Sequence, residues 1–145
     1  MNKEITSIGF GIVALTALVI NTPTAFAETV NLKANLNASA SVPPTNSNGT
    51  GNLQAAYDIA TKQLTYTVTY SGLTGNATAA HFHGPADPDK TAGVVVPVQG
   101  SVASPIKGTA TLTDAQAADL LAGKRYFNIH TEANRPGEIR GQVTK

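Results

Sequence analysis

Along most of the chain, apolar and polar residues alternate one by one. Val30, Leu32, Ala34, Leu36 and Ala38 are separated by polar positions, and so, apart from Ala56, are Leu53, Ala55, Tyr57 and Ile59. Leu64, Tyr66, Val68 and Tyr70 repeat the pattern across Thr65, Thr67 and Thr69. A period of two marks a strand with one buried face, and β-branched threonine suits the other face. Ala60-Thr61-Lys62-Gln63 leaves room only for a tight turn, so the second and third strands are predicted to form a hairpin. Ser41 to Gly51, rich in Pro, Asn, Ser and Gly, reads as a loop. Further strands are predicted at Thr78 to His83, Val94 to Val96, Ile106 to Leu112, Arg125 to Thr131 and Glu138 to Thr144. Asn134-Arg135-Pro136-Gly137 supplies turn chemistry between the last two. One helix interrupts the pattern. Thr113-Asp114-Ala115-Gln116 is a capping box, Ala115, Ala118, Leu121 and Ala122 share a face, and Gly123 stands where a glycine ends a helix. Short strands with regular turn signals predict an all-β domain, a sandwich or small barrel.

The first residues break this pattern. Ile8 to Ile20 carries no charge, Pro23 stops a helix, and Ala25-Phe26-Ala27 is the small-x-small triplet that signal peptidase accepts. Residues 1–27 are therefore expected to be a cleaved signal peptide, with 28–145 forming a single domain. The expected location is secreted or periplasmic. The apolar stretch is shorter than the roughly 20 residues of a spanning helix, so no stable membrane anchor is expected. The chain has no cysteine. That excludes a disulfide framework, thiol catalysis and iron–sulfur clusters. Exported chains commonly use disulfides, so this fold must stand on its core alone. Ten basic residues against nine acidic ones, dispersed along the chain, leave a net charge of +1 and form no nucleic-acid patch.

The candidate chemistry lies in three histidines. His81 and His83 are two residues apart on one strand, so both leave the same face. Phe82, between them, belongs to the core, which turns the histidines outward. In the strand around Tyr126, Phe127 and Ile129 turn inward, while Tyr126, Asn128 and His130 turn outward. In the last strand Ile139, Gly141 and Val143 turn inward, and Glu138, Arg140 and Gln142 outward. If these strands are neighbours, His81, His83 and His130 share a face. Three neutral imidazoles fit the donor set of an open zinc site or a copper site. The fourth position would hold water or a side chain from the loop Gly84 to Gly93. Asn128, Glu138 and Gln142 are candidates to hydrogen-bond the rings and fix their tautomers. The competing reading is that the histidines only hydrogen-bond backbone or carboxylates. Ring nitrogens within about 4 Å of one another would distinguish a site from this.

These residues resemble the CHRD domain, named after chordin and found also in exported bacterial proteins. The resemblance rests on His81-Phe82-His83-Gly84-Pro85-Ala86, Gly93-Val94-Val95, Leu120-Leu121-Ala122-Gly123, Tyr126-Phe127-Asn128-Ile129-His130-Thr131 and Pro136-Gly137-Glu138-Ile139-Arg140-Gly141-Gln142. It implies an immunoglobulin-like or superoxide-dismutase-like β-sandwich, and it implies little about activity. The His-x-His strand and the distant third histidine are also similar to the copper ligands of copper–zinc superoxide dismutases. That enzyme needs further histidines and a zinc-binding aspartate set. With three histidines the two-metal site cannot be built, and dismutase activity is not expected.

Asp87-Pro88-Asp89 is an acidic turn without the offsets of a calcium loop, and is read as a solvated turn. Glu138 and Arg140 are read as a surface ion pair. No nucleophile elbow, phosphate loop or general base beside the histidines is found, so no enzymatic activity is expected. The leading expectation is an exported binding protein that holds copper or zinc through His81, His83 and His130. The alternative is a non-catalytic structural or protein-interaction module of the cell envelope with no metal, its partner unknown.

Overall fold

The structure is a computed structural model describing residues 28–145; the expected signal peptide, 1–27, lies outside the described residues. Eight strands form in the places that the alternation predicts. They are β1 (Thr29–Asn37), β2 (Thr50–Asp58), β3 (Gln63–Ser71), β4 (Ala77–His83), β5 (Val94–Pro97), β6 (Ile106–Thr111), β7 (Tyr126–Thr131) and β8 (Ile139–Gln142). All pair antiparallel in one sheet of order β5-β4-β7-β8-β1-β2-β3-β6. The expected β2–β3 hairpin is present, and Asp58 accepts the Thr61 N–H at 2.8 Å to shape its turn.

The expected two-sheet sandwich differs from this in one respect: the ladder is continuous, and the sheet curls over on itself. Tyr66 on β3 and Phe82 on β4 stand far apart in strand order, yet their ring centroids are 5.0 Å apart, edge to face. Phe82 meets Phe127 of β7 in the same way at 4.8 Å. The inward residues of both halves, among them Leu36, Leu53, Val68, Ile129 and Ile139, are buried in one core. Full burial of each such side chain contributes about 1.5–3 kcal/mol.

The join between halves is narrow. β8 pairs with β1 through Asn37 and Arg140, and Lys33 exchanges both backbone hydrogen bonds with Thr144 at 2.7 and 2.9 Å. Between these contacts Gly141 lies against β1. A Cβ there would sit 2.4 Å from the Asn35 carbonyl oxygen, so this crossing requires glycine.

Helix α1 (Asp114–Leu121) follows β6, with the predicted capping box between Thr113 and Gln116. Gly123 adopts φ +72°, as the helix-ending position requires. The buried face differs from expectation. Ala117 and Leu120 are buried, and Ala115, Ala118 and Ala122 are exposed. Alanine spacing alone marks several stripes on so short a helix. The bulk of Leu120, packed with Leu112, Leu64 and Phe82, selects the one that faces inward.

Candidate metal centre

β4, β7 and β8 are consecutive in the sheet, and their register lays out a grid on the outer face. His81 stands opposite Asn128, and Asn128 opposite Arg140. His83 stands opposite Tyr126, and Tyr126 opposite Gln142. His130 occupies the next position along β7, opposite Ala79. Phe82, Phe127, Ile129 and Ile139 point into the core, so the sidedness argued from the sequence is what the fold has.

The three histidines come together. His81 Nδ1 lies 3.1 Å from His130 Nε2. One ligand nitrogen from each residue can be chosen so that all lie within 4.8 Å of one another. One pair is thus inside the roughly 4 Å that distinguishes a site, and the group as a whole spans somewhat more.

The backbone fixes two tautomers. His130 Nδ1 donates to the Arg135 carbonyl at 2.6 Å, and His83 Nδ1 donates to the Ala92 carbonyl at 3.0 Å. A carbonyl can only accept, so the proton sits on Nδ1 in both rings, and Nε2 keeps its lone pair. Metal-binding histidines commonly have their second nitrogen held this way. His81 has no such anchor: with its proton on Nδ1 it donates to His130 Nε2, and with its proton on Nε2 it leaves two lone pairs facing each other at 3.1 Å, the form a metal would take. Burial pushes the His81 pKa down, and the neighbouring His130 and His83 add to it. Burial also lowers that of His83, with His130 and Arg140 acting in the same direction, against the Ala92 and Asn128 carbonyl oxygens, which favour the protonated ring. Both rings are therefore held neutral, the form that binds metals.

The outer face is not bare. The loop Gly84 to Gly93 folds over it, tied at its neck by the Gly84 N–H to the Gly93 carbonyl at 3.3 Å. Arg140 donates to the carbonyls of Lys90 (2.7 Å) and Asp87 (3.2 Å), and Gln142 donates to those of Ala86 and Gly123 (both 2.8 Å). Tyr126 stacks parallel on His83 with centroids 4.9 Å apart, and its hydroxyl bonds Ala92. The loop contributes the Ala92 carbonyl, which holds His83 Nδ1. Its acidic residues are engaged elsewhere, Asp87 with Lys124 and Asp89 with Lys90, as befits a solvated turn.

Of the three residues expected to support the rings, Asn128 is the one that meets a ring, its Oδ1 lying 3.0 Å from His83 Nε2. Gln142 bonds the loop instead. Glu138 bonds none of the rings, and the surface ion pair expected with Arg140 is absent. Both residues are buried, at 0% and 3% exposure. The Glu138 carboxylate accepts from the hydroxyls of Ser47, Thr74 and Thr131, the Thr74 N–H and the Asn134 amide. Burial alone would raise its pKa. The Ser47, Thr131 and Thr74 hydrogen bonds outweigh that and hold it at about 2. Glu138 thereby pins the loops after β1, β3 and β7 together. Sequence reasoning missed the roles of Tyr126 and Arg140. The available signal was an aromatic ring and an arginine on a face where other strands carry threonine.

An all-β domain on one curled antiparallel sheet, with three histidines gathered on its outer face, is the class these observations define. The chain belongs to the CHRD domain family, whose model matches residues 32–143. This is not an enzymatic family. Comparison with curated proteins and with solved structures finds no significant match. Among the described residues no helix is long and apolar enough to cross a membrane.

Proposed function

We propose that this chain is an exported CHRD-domain binding protein that holds a transition metal, copper or zinc, through His81, His83 and His130. The observation that carries the reading is the pair of backbone-fixed tautomers. Arg135 and Ala92 each take an Nδ1–H, leaving the Nε2 lone pairs of His130 and His83 available beside His81. Imidazole is a good donor to both metals, and the absence of cysteine makes the donor set free of sulfur. We read the protein as a binder rather than an enzyme: among the described residues the partners of the three rings are carbonyl oxygens and one another, with no carboxylate among them.

Calorimetric titration with copper(II) and with zinc(II) tests this reading. The wild-type chain is expected to bind one ion of at least one metal, and the His81→Ala/His83→Ala/His130→Ala variant neither. Equal heats from the two proteins would overturn it.

A further inference from the structure

Resting on that reading, we propose that Asn128 Oδ1 is the fourth donor of the centre, which makes it a three-imidazole, one-amide-oxygen site for a divalent ion. The sequence places Asn128 only as a supporting group. The geometry gives it a more direct part.

His83 Nδ1 carries its proton, because its partner is the Ala92 carbonyl oxygen at 3.0 Å. The neutral ring therefore presents a lone pair at Nε2. The atom facing that lone pair, at 3.0 Å, is the Asn128 carbonyl oxygen, itself an acceptor. Two acceptors aimed at each other at hydrogen-bond distance repel unless a cation lies between or beside them. A proton would make the ring cationic in a buried position near the Arg140 guanidinium. A metal ion satisfies both lone pairs without protonating the ring.

Two pairs of donors already have the spacing of shared coordination, and the histidine nitrogens, which spread over up to 4.8 Å, would draw together around an ion. Donors about 2.0–2.1 Å from an ion stand about 3.0–3.4 Å apart at neighbouring positions. The two close pairs here, His83 Nε2 with Asn128 Oδ1 and His81 Nδ1 with His130 Nε2, are separated by 3.0 and 3.1 Å. Asn128 is the cross-strand partner of His81, so its side chain starts from the middle of the histidine group. Its amide is packed from behind: a Cβ on Gly137 would lie 2.7 Å from Asn128 Nδ2, and glycine at this positive-φ position (+131°) leaves the amide room. A neutral oxygen donor beside three imidazoles favours divalent copper or zinc over copper(I), which prefers sulfur.

The opposite orientation of the amide gives a different molecule. Turned over, Nδ2 donates to the His83 lone pair, and Asn128 is a hydrogen-bonding support that a metal must displace. Asn128→Asp separates the two, because a carboxylate ligates well and cannot donate. Zinc(II) affinity is measured by chelator competition for the wild-type protein, Asn128→Ala and Asn128→Asp, with circular dichroism to confirm folding. As a ligand, Asn128 requires the alanine variant to bind at least tenfold more weakly and the aspartate variant at least as tightly as wild type. If alanine leaves affinity unchanged or tighter, or aspartate weakens it, the proposal is overturned while the three-histidine reading stands. Should Asn128→Ala fail to fold, Asn128→Leu, of similar size and without a donor atom, takes its place, with the same tenfold weakening required. A wild-type chain that binds neither zinc(II) nor copper(II) overturns both readings.

Discussion

Tyr126 lies flat against His83, the ring planes parallel and the centroids 4.9 Å apart, while the guanidinium carbon of Arg140 sits 3.6 Å from the centre of the Tyr126 ring. The stack ties the loop over the site to the sheet beneath it. Arg140 holds two loop carbonyls, and the Tyr126 hydroxyl holds a third. The Ala92 carbonyl that fixes the His83 tautomer is therefore positioned by residues of β7 and β8.

Replacing Arg140 by alanine should loosen that loop. The change removes two charge-assisted hydrogen bonds and a cation–π contact from a buried position. An expected cost is about 2–4 kcal/mol, read by urea denaturation. Lysine at this position has no planar fork to reach both carbonyls and should recover only part of the loss. Limited proteolysis should show new cleavage between Gly84 and Gly93 in the alanine variant.

Glu138 gives the fold an acid limit. Its folded pKa, about 2, lies below its ordinary value of 4.5, so the unfolded chain takes up the proton first as pH falls. Its contribution to stability is complete above about pH 4.5 and is lost as pH falls toward about 2. Glu138→Gln should remove that dependence and destabilise the protein by at least about 2 kcal/mol at neutral pH, since hydroxyls gathered around a charge lose it. Denaturation curves from neutral pH to pH 2 compare the two proteins.

A milder pH dependence is expected from His81 and His83 in the metal-free protein. Both are held below the ordinary imidazole pKa. The unfolded chain binds protons at about pH 6.5, before the folded one does. The stability from these neutral rings is thus present above that pH and declines as pH falls through their folded values. Urea midpoints between about pH 5 and pH 8 should show this slope for wild type, and a smaller one for His81→Gln/His83→Gln.

Gly141→Ala tests the join between the two halves of the sheet. The new methyl would meet the Asn35 carbonyl at 2.4 Å, where neither backbone can give way without breaking the β1–β8 contact. A loss of about 2–4 kcal/mol is expected. Amide exchange should accelerate first at Lys33 and Thr144, whose mutual hydrogen bonds flank the glycine.

The sequence made one side of each strand legible, enough to group the three histidines. Phe82, Phe127 and Ile139 had to face inward, which put His81, His83, Asn128 and His130 on one surface provided that β4 and β7 are neighbours, as the fold makes them. Alternation says which side a residue leaves from, but not what covers that side. Arg140, Tyr126 and Glu138 start outward and end buried, because loops distant in sequence close over them. Their partners lie far along the chain: Ser47 and Thr74 for Glu138, Asp87 and Lys90 for Arg140. No local pattern encodes such pairings, so an apparent surface pair between Glu138 and Arg140 was the natural and mistaken inference. Sheet closure was equally hidden, since the curl depends on how β4 and β3 meet through Phe82 and Tyr66. The turn and capping chemistry was readable, because Thr113, Gln116, Gly123 and Gly137 act within a few residues of themselves.

The central claim is that His81, His83 and His130 together bind one metal ion. X-ray absorption at the zinc or copper edge of the loaded, gel-filtered wild-type protein tests it most directly. The account predicts one ion per chain, with nitrogen or oxygen donors at about 2.0–2.1 Å and scattering from three imidazole rings. Loss of the metal on gel filtration, or a coordination shell with fewer than three imidazoles, would contradict it.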